Sequence, residues 1–103
     1  MNKKSMVLAV SLGLMTATNV AVAQMAQQPA KLNTCIGCHG VDGNSVVPNF
    51  PKLAGQHAAY LEKALKDYRD GFRRDESMAA FARGLTDEEI RELAEYYSQQ
   101  TPR

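Results

Sequence analysis

Cys35, Cys38 and His39 carry the most specific chemistry in the chain. On a helical turn they fall at i, i+3 and i+4, so two sulfurs and one imidazole share a face. Both thiols can then add to the two vinyl groups of one haem while the imidazole reaches the iron from the same side. The order Cys-Ile-Gly-Cys-His is that of c-type haem attachment. The chain has two cysteines, and this motif uses both. Two other readings compete. A redox dithiol expects a βαβ pattern around the pair, and no convincing strand pattern occurs anywhere. A structural zinc site needs four ligands, and with His57 as the one further candidate it is a ligand short.

An iron bound by His39 has a second axial position to account for. Apart from Met25 near the start, Met78 is the one methionine beyond residue 23. A lone methionine is ordinarily core filler. Downstream of a haem motif its thioether becomes a soft, neutral ligand that favours ferrous iron and raises the reduction potential relative to two histidines. His57 competes for the same position, its bland reading being an exposed imidazole near a helix start. A third possibility is an open iron that binds a gas or peroxide. The Glu-Ser-Met-Ala-Ala-Phe stretch around Met78 reads as a loop.

These groups need elements to position them. Residues 30–38 are expected to form a short helix leading into the motif, with Leu32 and Ile36 at i and i+4 on one side. Gly40 to Ser45 is rich in residues that accept positive φ or bond their own backbone, which stops that helix. Pro48-Asn49-Phe50-Pro51 forces an extended strap, because each proline fixes its own φ and pushes its predecessor out of the helical region. Such a strap can lie against a ring and aim a carbonyl at it.

The spacing predicts a second helix over 56–70, where Leu61, Leu65, Tyr68 and Phe72 form one apolar stripe and Gly71 is the stop. Glu62 and Lys66 form an i,i+4 pair of the favoured orientation. Lys63, Lys66, Arg69, Arg73 and Arg74 make its end basic, as ordinary helix-end charge or as a docking patch. The last helix is expected over 87–98, because Thr86 and Glu89 form a capping box and Ile90, Leu93, Ala94 and Tyr97 trace one apolar face. The fold class is therefore all-α. One attachment motif and no internal repeat imply one domain with one haem at most.

Residues 1–23 read as a secretory signal peptide, with Lys3 and Lys4 in a positive start, an apolar run to Met15 and Ala21-Val22-Ala23 as the cleavage signal. Thr16, Thr18 and Asn19 interrupt the run before the roughly 20 residues that a membrane span needs. Residues 24–103 would then form the domain, about 80 residues with a marginal apolar core that a large, flat, mostly apolar cofactor would supplement. The formal charge of +1 becomes −1 once Lys3 and Lys4 leave with the leader, which excludes a nucleic-acid-binding protein.

The stretch Cys35 to Ser45, then Pro-Asn-Phe-Pro-Lys-Leu-Ala-Gly-Gln, Tyr60-Leu61, and Met78 seven residues before Leu85-Thr86-Asp87-Glu88-Glu89-Ile90 resembles small bacterial class I cytochrome c. It is most similar to a single-haem relative of one half of the dihaem periplasmic cytochromes. The resemblance covers about residues 34–99. It implies three to five helices wrapped around one covalently bound haem c, with Cys35 and Cys38 as the thioether residues, His39 as proximal ligand and Met78 as distal ligand. It further implies that the Pro51 carbonyl accepts from the proximal imidazole and that Leu53 packs on the haem. The function implied is electron carriage in the periplasm without enzymatic activity or a small-molecule substrate. Partners would be membrane or periplasmic redox proteins, met by a monomer or weak dimer. A haem subunit docked in a larger dehydrogenase or oxidase is the nearest alternative. In one respect the chain departs from the family: no glycine precedes Gly37 beyond the leader. The crossing of the first and last helices is then looser, or Ala30 takes the glycine's place.

Overall fold

The computed structural model describes residues 28–103; the leader expected over 1–23, and Met25, lie outside them. Four helices and no strand occur among the described residues: α1 (Asn33–His39), α2 (Ala58–Asp70), α3 (Glu76–Ala82) and α4 (Asp87–Ser98). None of them is long and apolar enough to cross a membrane.

The last helix is set by its cap. The Glu89 amide donates to Thr86 Oγ1 (3.1 Å) and the Thr86 amide donates to Glu89 Oε1 (3.0 Å), so two free donors of the first turn are satisfied reciprocally. Ile90, Leu93, Ala94 and Tyr97 are all buried, as the 3.6-residue spacing requires. Helix α2 packs against both α3 and α4, burying Leu61 and half-burying Leu65 and Tyr68. Gly71 ends it at φ 89°, a left-handed cap that glycine adopts without steric cost. Because the helix stops there, the apolar stripe does not extend to Phe72, which is 84% exposed.

The basic end of α2 is mostly paired. Lys63 bonds Asp67, Lys66 bonds Glu62, and Arg69 reaches Asp70 and Asp87, joining the end of α2 to the start of α4. Surface pairs of this kind add little to stability, because solvent screens them and ordering two long side chains costs entropy. At the other end of the chain, α1 begins at Asn33, after a turn in which the Leu32 amide bonds the Pro29 carbonyl. Leu32 is buried while Ala30 is exposed, so Ala30 does not stand in for the missing glycine.

One element differs in kind from expectation. Met78 lies on a helix, α3, not in a loop. Asp75 caps it, its carboxylate accepting from the Met78 amide at 2.9 Å. Seven residues are too few for an apolar period to show, and Asp75-Glu76 was the legible signal.

Candidate functional site

The walls of one apolar cavity of about 340 Å³ are built from every element. Helix α1 supplies Cys35, Cys38 and His39; the strap supplies Pro51 and Leu53; α3 supplies Met78. The faces of α2 and α4 complete it with Leu61, Leu65, Leu93 and Tyr97. Residues separated by about forty positions in the chain thus meet around one space. His57 does not join them: it precedes α2, is exposed and is not on the cavity wall.

His39 is buried, at 7% exposure, and its orientation is settled by one bond. Its Nδ1–H donates to the Pro51 carbonyl oxygen at 2.8 Å. A carbonyl can only accept, so Nδ1 carries the proton and Nε2 keeps its lone pair. This is the arrangement in which a histidine is a good metal donor. The strap is fixed in turn: the Ser45 hydroxyl donates to the Phe50 carbonyl at 2.5 Å, and the Leu53 and Ala54 amides both donate to the Gly43 carbonyl.

Both cysteines are free thiols, half-buried on the same wall as His39. Burial pushes the Cys35 thiol above its ordinary range, with the Thr34 hydroxyl pulling the other way. No group of three or more His, Cys, Asp or Glu side chains among the described residues is arranged to hold a metal ion by itself. The zinc reading therefore fails on the donor set, while a ring that brings four equatorial donors of its own needs only one protein ligand on each face. The residues present fit a haem: two thiols in attachment spacing, an oriented imidazole, a thioether and apolar walls.

A second network, which the sequence did not disclose, holds the end of the motif to the C-terminal segment. The Tyr97 hydroxyl donates to the Gly40 carbonyl (3.0 Å) and the Tyr96 hydroxyl to the Val41 carbonyl (2.6 Å). Burial raises the Tyr97 phenol far above its ordinary range, so it stays a donor at any working pH. Asn44, 8% exposed, donates through its side-chain amide to the Thr101 carbonyl and accepts from the Arg103 amide. These contacts span 55 to 59 residues, beyond the reach of local pattern.

Residues 23–101 match the model of the family described as Cytochrome c. The chain is 48% identical over 73 residues to cytochrome c-554(548) of Halomonas halodenitrificans, covering 68% of this chain and 88% of that one. It is 42% identical over 100 residues to cytochrome c4 of Pseudomonas aeruginosa, covering 97% of this chain and 49% of that one. The crystal structure of reduced recombinant cytochrome c4 from Pseudomonas stutzeri superposes with a TM-score of 0.62 at 34% identity, over 80% of this chain and 50% of that one. The chain thus spans about half the length of these cytochromes c4 and most of the length of cytochrome c-554(548).

Proposed function

We infer that this chain, which belongs to the cytochrome c family, carries single electrons on one haem c, with His39 and Met78 as the side chains that close the iron on its two faces. Membership implies the covalently bound haem, and the Cys35-x-x-Cys38-His39 spacing is where the chain provides for it. The observation that carries the axial assignment is the shared cavity: His39 and Met78 both line it, whereas the competing His57 is exposed elsewhere.

When bound, the haem supplies a couple that gains and loses one electron without bond breaking. The protein's part is positional. Cys35 and Cys38 would hold the ring against α1, and Pro51 keeps the His39 imidazole in one tautomer and one orientation. Met78 would add a neutral, soft donor that favours the ferrous state. Leu53, Leu61, Leu65 and Leu93 exclude water from the walls, so few dipoles reorganise when the charge changes. No step requires a substrate, and we assign the chain no enzymatic activity of its own. Residues 1–23 would direct export to the periplasm. There the carrier would meet redox proteins through small, transient interfaces.

The test is spectroscopic. Oxidised holoprotein should show the near-infrared charge-transfer band of methionine-ligated ferric haem. Met78→Ala should abolish it, lower the midpoint potential and let the reduced protein bind carbon monoxide, while His57→Ala should leave all three properties unchanged. An unaltered spectrum in Met78→Ala would remove Met78 from the iron and favour another ligand.

A further inference from the structure

A haem brings two propionate carboxylates into an otherwise apolar site, and an ionised carboxylate is costly to bury without a partner. Among the described residues two Lys or Arg side chains line the cavity, Lys52 and Arg73. Lys52 is engaged, its ammonium donating to the Arg103 carbonyl at 2.7 Å. Arg73 has no carboxylate within ion-pair distance among the described residues, whereas Lys31, Lys63, Lys66, Arg69, Arg91 and Arg103 all do.

Arg73 is nevertheless held in place. Its guanidinium lies over the Tyr68 ring, 4.8 Å from the centroid, and Nη1 donates to the Tyr60 hydroxyl at 3.2 Å. Both tyrosines also line the cavity. Stacking on an aromatic face and one bond to a phenol leave most of the five guanidinium donors free, in the planar fork that matches a carboxylate. A phenol oxygen that accepts from Arg73 can still donate its own hydrogen, so Tyr60 offers a second donor beside the fork. Arg73 and Tyr60 are exposed, which puts this polar corner at the rim of the cavity, where the hydrophilic edge of a haem would meet water. Asp75, the one carboxylate on the wall among the described residues, is committed to the Met78 amide.

We propose that Arg73, braced by Tyr60 and Tyr68, receives a haem propionate carboxylate and so neutralises negative charge close to the iron. The proposal rests on the haem reading of the cavity. It makes Arg73 a determinant of the reduction potential: without the guanidinium, the uncompensated propionate favours ferric iron.

The test compares Arg73→Met with Arg74→Met in the holoprotein. The two changes remove the same charge from adjacent exposed positions, but Arg74 is not on the cavity wall. Spectroelectrochemical titration at neutral pH should show Arg73→Met shifting the ferric/ferrous equilibrium toward ferric by roughly threefold to tenfold, tenfold being about 59 mV for one electron. Arg74→Met should shift it by less than half as much. Tyr60→Phe, which loosens the brace without changing charge, should move the potential in the same direction by a smaller amount, and it serves alone should Arg73→Met fail to mature. Equal shifts in the two arginine variants, or an unmoved potential in Tyr60→Phe where it stands alone, would overturn the proposal. Colourless wild-type protein would overturn the haem reading instead.

Discussion

Removing the Tyr97 hydroxyl isolates the bond that ties the haem-binding motif to the last helix. Tyr97 is 2% exposed, and its hydroxyl donates to the carbonyl of Gly40, the residue directly after His39. Tyr97→Phe deletes this bond and keeps the ring, so it adds no ring-sized cavity. The ring's edge contact with Tyr96, at 5.2 Å and 77°, is retained. A hydrogen bond of this kind contributes about 1 kcal/mol net, and a carbonyl stranded without any partner would cost about 1–3 kcal/mol. Gly40 is not stranded, because the Gly43 amide still donates to the same oxygen at 3.3 Å. The expected loss is therefore about 1 kcal/mol, a fall in melting temperature of about 4–8 °C for a domain of this size. The assay is guanidinium unfolding of oxidised holoprotein followed by far-ultraviolet circular dichroism, compared at constant slope. A loss near the 3–5 kcal/mol typical of deleting a whole aromatic side chain would refute the reasoning. So would no loss at all.

Two further changes probe the same junction. Gly43 has φ 78°, and a Cβ added there would lie 2.6 Å from the Ala54 nitrogen and 2.9 Å from Tyr97 Cδ1. Backbone strain alone costs about 1–3 kcal/mol, so Gly43→Ala should lose at least about 2 kcal/mol by the same assay; a loss under 0.5 kcal/mol, roughly the scale of ordinary surface substitutions, would show that the strap and Tyr97 yield freely. Asp42 is half-buried, and its carboxyl is held at about 2 by the Asn44 amide first and the Arg103 guanidinium next, against an ordinary 3.8. A depressed folded-state pKa stabilises above the unfolded value and loses that contribution as pH falls through the folded one. The stability gap between wild type and Asp42→Asn should thus be constant above about pH 4 and close toward pH 2; melting curves across that range check it, and a gap independent of pH would exclude the ionised carboxylate as its source.

What the sequence disclosed followed the range of the interactions involved. The capping box at Thr86 and Glu89 is contained in four residues, and the helix it starts has the expected bounds. Gly71 was legible as a stop for the same reason, although the apolar stripe read through it wrongly included Phe72. Helix α3 escaped because seven residues show no period and only its cap, Asp75, was local. Cys35, Cys38 and His39 were legible as a unit because their chemistry demands contiguity. The prolines marked a strap that could aim a carbonyl at a ring, whereas the bond from His39 to Pro51, which spans 12 residues, came from family resemblance. Nothing local marks Asn44 as a buried clamp or Arg73 as part of the cavity wall, since both properties depend on the return of distant chain.

The cavity also explains why periodicity reports apolar faces without saying what they face. Among the described residues eight hydrophobic side chains form the buried core, and four of them, Leu61, Leu93, Ala94 and Tyr97, line the cavity as well. Helices α2 and α4 therefore present one continuous apolar surface, part of which meets protein and part of which meets the space beside His39 and Met78. A domain this small has little apolar surface to spare, and here half of the buried core side chains also serve as the wall of the site. Substitutions at Leu93 or Ala94 then cannot be sorted into effects on folding and effects on the haem. The polar attachments can be, because the Tyr97 hydroxyl and the Asn44 amide bond identified backbone atoms away from the apolar wall.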